Sequence, residues 1–153
     1  MTDLDPEVMR IFTQEESSSA AEATQKSGID QILPQMKIDD YLFEPCGYSM
    51  NGVSKNGCYM TIHITPEPDF SYVSFETNIP KSSYKEVIQR VLEVFRPAKF
   101  VMTVFANKTS LSAECPKEVE LLPNFGELRR HDIQFCNLQN YDLTFAFYSK
   151  FPS

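Results

Sequence analysis

At 153 residues, with 42% apolar and 23% charged side chains, the chain has the composition of one folded domain with a sizeable core, which excludes a disordered segment. A net charge of −7 leaves no basic footprint and argues against nucleic-acid binding. No apolar run approaches the length of a bilayer-spanning helix, so no membrane association is expected.

Twelve Phe, seven Tyr and no Trp favour β-rich packing, because aromatic rings suit a pleated, half-buried surface. The four cysteines, Cys46, Cys58, Cys115 and Cys136, form no C-x-x-C pair, and the two histidines lie far apart. No metal site is expected from that spacing. Met1 leads directly into a helix-like pattern without an export signal, so the expected location is a reducing cytosol with free thiols.

In chain order, Asp5-Pro6-Glu7 reads as a helix start, with an N-cap carboxylate, proline at the first position and acid in the first turn. Val8, Met9 and Phe12 give it an apolar face. Thr13 to Lys26 is a polar loop running into a short helix that stops at Gly28. Ile29, Ile32 and Leu33 return to the core before Pro34. The stretch Pro45 to Gly52 reads as a turn-rich loop. Strict alternation follows: Tyr59, Thr61, His63 and Thr65 share one face, and Met60, Ile62 and Ile64 the other. After the corner Pro66-Glu67-Pro68-Asp69, Phe70, Tyr72, Ser74 and Glu76 oppose Ser71, Val73 and Phe75, so the two runs form one hairpin. Ser83 and Glu86 make a capping box for a helix with an apolar stripe of Tyr84, Val87, Ile88, Val91, Leu92 and Phe95, ended by Pro97. Phe100 to Ala106 reads as a strand buried on both faces. Lys108 to Pro123 is polar and loop-like, Ile133 to Phe135 is a short strand, and Leu143 to Tyr148 is a clearer one. Sheet and helix layered in one α/β (α+β) domain over 1–153 is the fold class.

The hairpin is where ingredients of chemistry gather: His63 and Glu76 project from its polar faces, beside Ser49 and Cys46. Each has a plain structural explanation. His63 can be a hydrogen-bonded strand residue, Ser49 a turn serine bonding to backbone, Glu67 an exposed corner carboxylate and Glu76 an edge charge. Phe43 and Phe105 fit a core, and Cys46 a small buried thiol. Ser49 also lacks the G-x-S-x-G context of a nucleophile elbow.

The assembled string is more specific. Phe43-Glu44-Pro45-Cys46-Gly47-Tyr48-Ser49-Met50-Asn51-Gly52, Thr61-Ile62-His63-Ile64-Thr65-Pro66-Glu67-Pro68 and Phe70-Ser71-Tyr72-Val73-Ser74-Phe75-Glu76-Thr77-Asn78 resemble eukaryotic S-adenosylmethionine decarboxylase. Leu4-Asp5-Pro6 with Val8-Met9 resembles it too. The likeness is strongest over 41–107 and fades beyond Asn107. It implies a pyruvoyl-dependent lyase of spermidine and spermine biosynthesis. Its pyruvoyl group arises by autocatalytic cleavage of a Glu-Ser bond in a proenzyme and forms a Schiff base with the substrate amine.

Residue by residue, the resemblance assigns Ser49 and His63 to self-processing, His63 as the base, an imidazole being suited to proton transfer near neutrality. Phe43 matches an aromatic plate against the adenine of S-adenosylmethionine, and Glu67 the carboxylate that holds its ribose hydroxyls. Glu76 and Phe105 match positions lining a putrescine site. Cys46 receives no chemical role.

The family's processing segment, Leu-Ser-Glu-Ser-Ser-Met-Phe, and its Thr-Cys-Gly stretch are absent, so the source serine of the pyruvoyl group is not in this chain. Glu16-Ser17-Ser18 imitates the cleavage dipeptide by coincidence. The family builds a four-layer α/β/β/α sandwich from two similar halves, with mainly antiparallel sheets and helices outside. This chain resembles the C-terminal half, entered one strand in. The expected partner is therefore the N-terminal half, or β chain, of a decarboxylase. A sheet face without its partner layer implies instability, aggregation, or a homo- or hetero-oligomer. The alternatives are a non-catalytic regulatory chain that pairs with an intact decarboxylase, or a truncated product without function.

Overall fold

The computed structural model describes residues 1–150. The chain divides into two compact units, Met1–Ile79 with Val87–Pro97, and Pro80–Glu86 with the chain from Ala98. Among the described residues, no helix is long and apolar enough to cross a membrane.

The first unit opens with β1 (Thr2–Leu4), α1 (Pro6–Arg10) and α2 (Ala20–Ser27). Asp5 caps α1 by accepting the Glu7 N–H at 2.9 Å. Ser19 caps α2 by accepting the Glu22 N–H at 3.1 Å, and the Glu22 carboxylate accepts the Ser18 N–H at 2.7 Å. Those contacts, led by the bond from Lys26, hold the Glu22 carboxyl down at about 2. Gly28 ends α2 at φ +81°, in the left-handed region that glycine enters without strain.

Four strands follow: β2 (Lys37–Leu42), β3 (Tyr48–Val53), β4 (Tyr59–Thr65) and β5 (Tyr72–Thr77). Then comes α3 (Lys85–Phe95), where Ser83 Oγ accepts the Lys85 N–H at 3.3 Å. The strand order is β2-β3-β4-β5-β1, antiparallel at each pairing. The helices cover one face of this sheet. Val8, Phe12, Ala23, Val91 and Phe95 pack with Tyr48, Met50, Met60, Ile62, Ile64 and Val73 in one buried cluster. Phe12 lies at its centre, its ring 5.2 Å from Tyr48 and 6.4 Å from Phe95. Tyr48 is the cluster's buried phenol. Its hydroxyl lies 2.6 Å from Thr24 Oγ1, which in turn donates to Asp40 Oδ2 at 2.5 Å. Burial, the largest cause, pushes the Tyr48 pKa up.

The second unit contains β6 (Pro97–Asn107), α4 (Cys115–Glu118), β7 (Asn124–Phe125), β8 (Leu128–Asn137) and β9 (Tyr141–Ser149), with strand order β6-β9-β8-β7. Phe100 stacks on Tyr148 at 4.6 Å, and the Tyr148 hydroxyl donates to the Leu122 carbonyl at 2.6 Å. The Arg130 guanidinium closes the turn after α4, donating to the Val119 and Glu120 carbonyls at 2.7 and 3.1 Å.

The hairpin alternation, the α2 stop at Gly28, the helix ended before Pro97 and the last strand match expectation. Four readings need correction. Pro45 to Gly52 is not only a loop, because β3 begins at Tyr48. Its Gly52 serves close approach rather than a turn: a Cβ there would come 3.0 Å from Met36 Cβ. Three strands, β1, β2 and β3, precede the expected first one, which is β4. β6 is not buried on both faces, since Val101, Thr103 and Phe105 are exposed. The polar segment after Asn107 holds α4 and a 3-10 turn at Val119–Leu121.

Candidate active site

The uncovered face of the first unit's sheet is built by register. Tyr41 pairs with Ser49, Ser49 with His63 and His63 with Ser74, so these four share a row across β2, β3, β4 and β5. Two residues along, Asp39, Asn51, Thr61 and Glu76 form the next row. Side chains two apart in a strand share a face, so both rows project away from the helices.

Within this face the polar groups pair across strands. Ser49 Oγ lies 2.9 Å from His63 Nδ1. Thr61 Oγ1 donates to Asn51 Oδ1 at 2.8 Å, and the Tyr59 hydroxyl donates to Glu76 Oε1. His63 and Glu76 are exposed, so these contacts are open to a ligand.

Phe43 and Tyr41 stand at one end of the face. They are 45% and 63% exposed, too open for the core role that composition alone would give Phe43. Their rings meet edge-on, with centroids 4.8 Å apart. Phe43 is fixed by its N–H donating to the Gly47 carbonyl at 2.8 Å, and Gly47 sits at φ +115° where a side chain would be strained. An exposed ring held this way is a plate for a planar or cationic group.

Glu67 follows β4 and heads the 3-10 turn Pro68–Phe70. It is half-buried, and its Oε2 is a buried acceptor without a hydrogen-bond partner. A buried acceptor in native proteins ordinarily has a donor, so this orphan oxygen has an acceptor position to spare. Cys46 lies beside it: burial, then the charge and hydrogen bond of Glu67, push the Cys46 thiol pKa up. A thiol kept protonated there is not a nucleophile.

The structure thus brings Phe43, Ser49, His63 and Glu76 to one sheet and places Glu67 at the end of β4. Phe105 belongs to the second unit, on β6, 55% exposed and stacked on Tyr141 at 4.7 Å. Sequence reasoning missed Tyr41 and the partnership of Tyr59 with Glu76, though the period-two pattern already put Tyr59 on the His63 face. Among the described residues no three His, Cys, Asp or Glu gather for a metal, and the four cysteines are free. Ser17, in the imitation cleavage dipeptide, is 1% exposed and donates its hydroxyl to the Ile11 carbonyl at 2.6 Å.

The first unit is thus an antiparallel sheet covered by helices on one face, with an exposed serine–histidine pair, an aromatic pair and the Glu76 carboxylate on the other. The adenosylmethionine decarboxylase family model matches residues 1–149, and the chain belongs to that family. It is 56% identical over 150 residues to an S-adenosylmethionine decarboxylase proenzyme of Drosophila melanogaster, covering 97% of this chain and 43% of that protein. The corresponding proenzyme of Xenopus laevis is 45% identical over 150 residues, covering 98% of this chain and 44% of its own length. The crystal structure of the Trypanosoma brucei AdoMetDC-delta26 monomer superposes with a TM-score of 0.85 at 25% identity, covering 99% of this chain and 63% of that one. The chain spans less than half the length of the fly and frog relatives it matches.

Proposed function

We propose that this chain is the C-terminal portion of a pyruvoyl-dependent S-adenosylmethionine decarboxylase, supplying substrate-binding and self-processing residues to polyamine biosynthesis in the cytosol. The observation that carries this reading is the Ser49–His63 contact of 2.9 Å, held by strand register on the open face of a chain matched to the family from residue 1 to 149.

The roles follow from what each atom can do. For His63 to take a proton at Nε2, its Nδ1 must carry the hydrogen and donate to Ser49 Oγ. In that tautomer Ser49 Oγ accepts from Nδ1 and holds the ring, and His63 acts as the base of self-processing. Phe43 offers its exposed ring to adenine, and the orphan Oε2 of Glu67 accepts from a ribose hydroxyl. Glu76 offers an exposed carboxylate to putrescine.

A pyruvoyl group supplies an electron-withdrawing carbonyl for loss of carbon dioxide. The residues here fit the surroundings of such a group and not its source. The single Glu-Ser bond of the sequence, Glu16-Ser17, has its serine hydroxyl buried and committed to the Ile11 carbonyl. The source serine belongs to the N-terminal half, for which the open face with Tyr41, Phe43 and Tyr72 is the docking layer.

The test mixes this chain with the part of the Drosophila relative outside the matched region. Intact mass then follows cleavage of that added part. Cleavage with wild-type chain and none with His63→Ala supports the reading. Cleavage at Ser17 of this chain, or equal cleavage with both variants, overturns it. A changed rate of an intact decarboxylase on mixing would instead identify a regulatory partner.

A further inference from the structure

Three consecutive residues converge on Tyr59. Its N–H donates to Asn78 Oδ1 at 2.8 Å, its carbonyl accepts from Thr77 Oγ1 at 2.6 Å, and its hydroxyl donates to Glu76 Oε1. Register explains the last contact. Thr61 is the Cα partner of Glu76, so Tyr59, two residues back on the same face, is its diagonal neighbour. Diagonal pairs stand about 7–8 Å apart, a gap that a tyrosine spans and a threonine does not. Thr61, the nearer residue, is already committed to Asn51 Oδ1 at 2.8 Å and does not compete for Glu76.

We propose that Tyr59 is a positioning residue for Glu76: its hydroxyl ties down Oε1 so that Oε2 stays directed across the open face as the acceptor for an organic ammonium ion. The proposal rests on the reading of Glu76 as an amine-binding carboxylate. A free glutamate side chain samples many rotamers, and one held in place in advance binds a cation without that ordering cost. Hydrogen bonding to Glu76, the largest cause, raises the Tyr59 pKa, the direction a phenol takes when it donates to a carboxylate. An ammonium fits this site better than a metal ion, because no metal-ligand cluster forms among the described residues.

The experiment titrates 1,4-diaminobutane, with butylamine as the single-charge control, into the 153-residue chain and its Tyr59→Phe and Glu76→Gln variants. Calorimetry reads affinity, and thermal melting reads fold. Glu76→Gln is expected to lose about tenfold or more in diamine affinity, and Tyr59→Phe about fivefold, with folding retained. Tyr59→Phe binding within about twofold of wild type, while Glu76→Gln fails to bind, overturns the positioning role and leaves the amine reading standing. A wild-type chain that does not bind the diamine, or a Glu76→Gln chain that binds it unchanged, overturns the amine reading. A ligand-free measurement separates the two. The alkaline absorbance difference between wild type and Tyr59→Phe isolates the Tyr59 phenol, and the same difference in the Glu76→Gln background should move to lower pH. An unmoved phenol overturns the positioning role whatever the diamine does.

Discussion

The two faces of the first unit's sheet are built from alternate residues of the same strands and do opposite work. In β4, Met60, Ile62 and Ile64 are buried under the helices, while Thr61 and His63 between them stand on the open face. On the covered side a polar cluster of Tyr48, Thr24 and Asp40 sits within apolar packing. On the open side Ser49–His63, Asn51–Thr61 and Tyr59–Glu76 pair side chain to side chain across strands. The covered-side bonds are buried or part-buried, whereas the three on the open side are exposed. Adjacent positions thus divide between packing and exposed polar pairing.

The sharpest way to break this comparison is to truncate neighbours. Ile62→Ala, at a fully buried site, should cost about 2–5 kcal/mol in urea unfolding, from lost burial and the cavity left behind. His63→Ala, one residue away, should stay within about 0.5 kcal/mol of wild type. Equal losses would mean that both faces support the fold. Next, Tyr48→Phe should cost about 1–3 kcal/mol, because it removes the hydroxyl that Thr24 contacts beneath the helices. It should also alter the alkaline limb. The folded-state pKa of Tyr48 is raised, so its contribution is fully present below the ordinary phenol value of 10.0 and is lost as pH rises through the folded value. Stability should therefore fall above pH 10.0 in wild type and fall less steeply in Tyr48→Phe. An unchanged slope would place the phenol in solvent.

Ser49→Ala should leave stability within about 0.5 kcal/mol yet slow processing of the added decarboxylase portion, since His63 loses the hydroxyl that holds its Nδ1. A nitrogen-15 spectrum of His63 checks the tautomer directly, and identical spectra in wild type and Ser49→Ala would remove that role. The smallest effect is expected off the sheet. Glu22 ionises at about 2, so its contribution is present above the ordinary value of 4.5 and lost as pH falls through about 2. Its ion pair with Lys26 is partly open to solvent, so Glu22→Gln should give the smallest melting shift of the set, erased by high salt.

The functional strands were legible where one face is apolar. Met60, Ile62 and Ile64 against Thr61 and His63 announce both the strand and its two faces, and Gly28 and Pro97 mark real helix ends. β3 was hidden because Gly47, Asn51 and Gly52 carry turn chemistry. Here Gly47 turns the chain, while Gly52 admits Met36. β2 was hidden by charge: its Lys37, Asp39 and Tyr41 lie on an exposed edge strand, leaving Ile38 and Leu42 as the apolar signal. β6 looked buried on both faces because Val101 and Phe105 are apolar, and composition cannot tell a core residue from an exposed one awaiting a ligand or a partner. Resemblance supplied Ser49, His63, Phe43, Glu67 and Glu76 on the first unit and Phe105 on the second, and register supplied the row that joins Ser49 to His63 and the diagonal that joins Tyr59 to Glu76. Pairing across strands is a tertiary fact that no single strand's pattern contains.

Release of labelled carbon dioxide from carboxyl-labelled S-adenosylmethionine tests the central claim most directly. It is measured for this chain alone, for the chain mixed with the unmatched part of the Drosophila relative, and for the same mixture with His63→Ala. No release from the chain alone, release from the wild-type mixture and none from the His63→Ala mixture is the predicted result. Release from the chain alone, or equal release from the two mixtures, would contradict it.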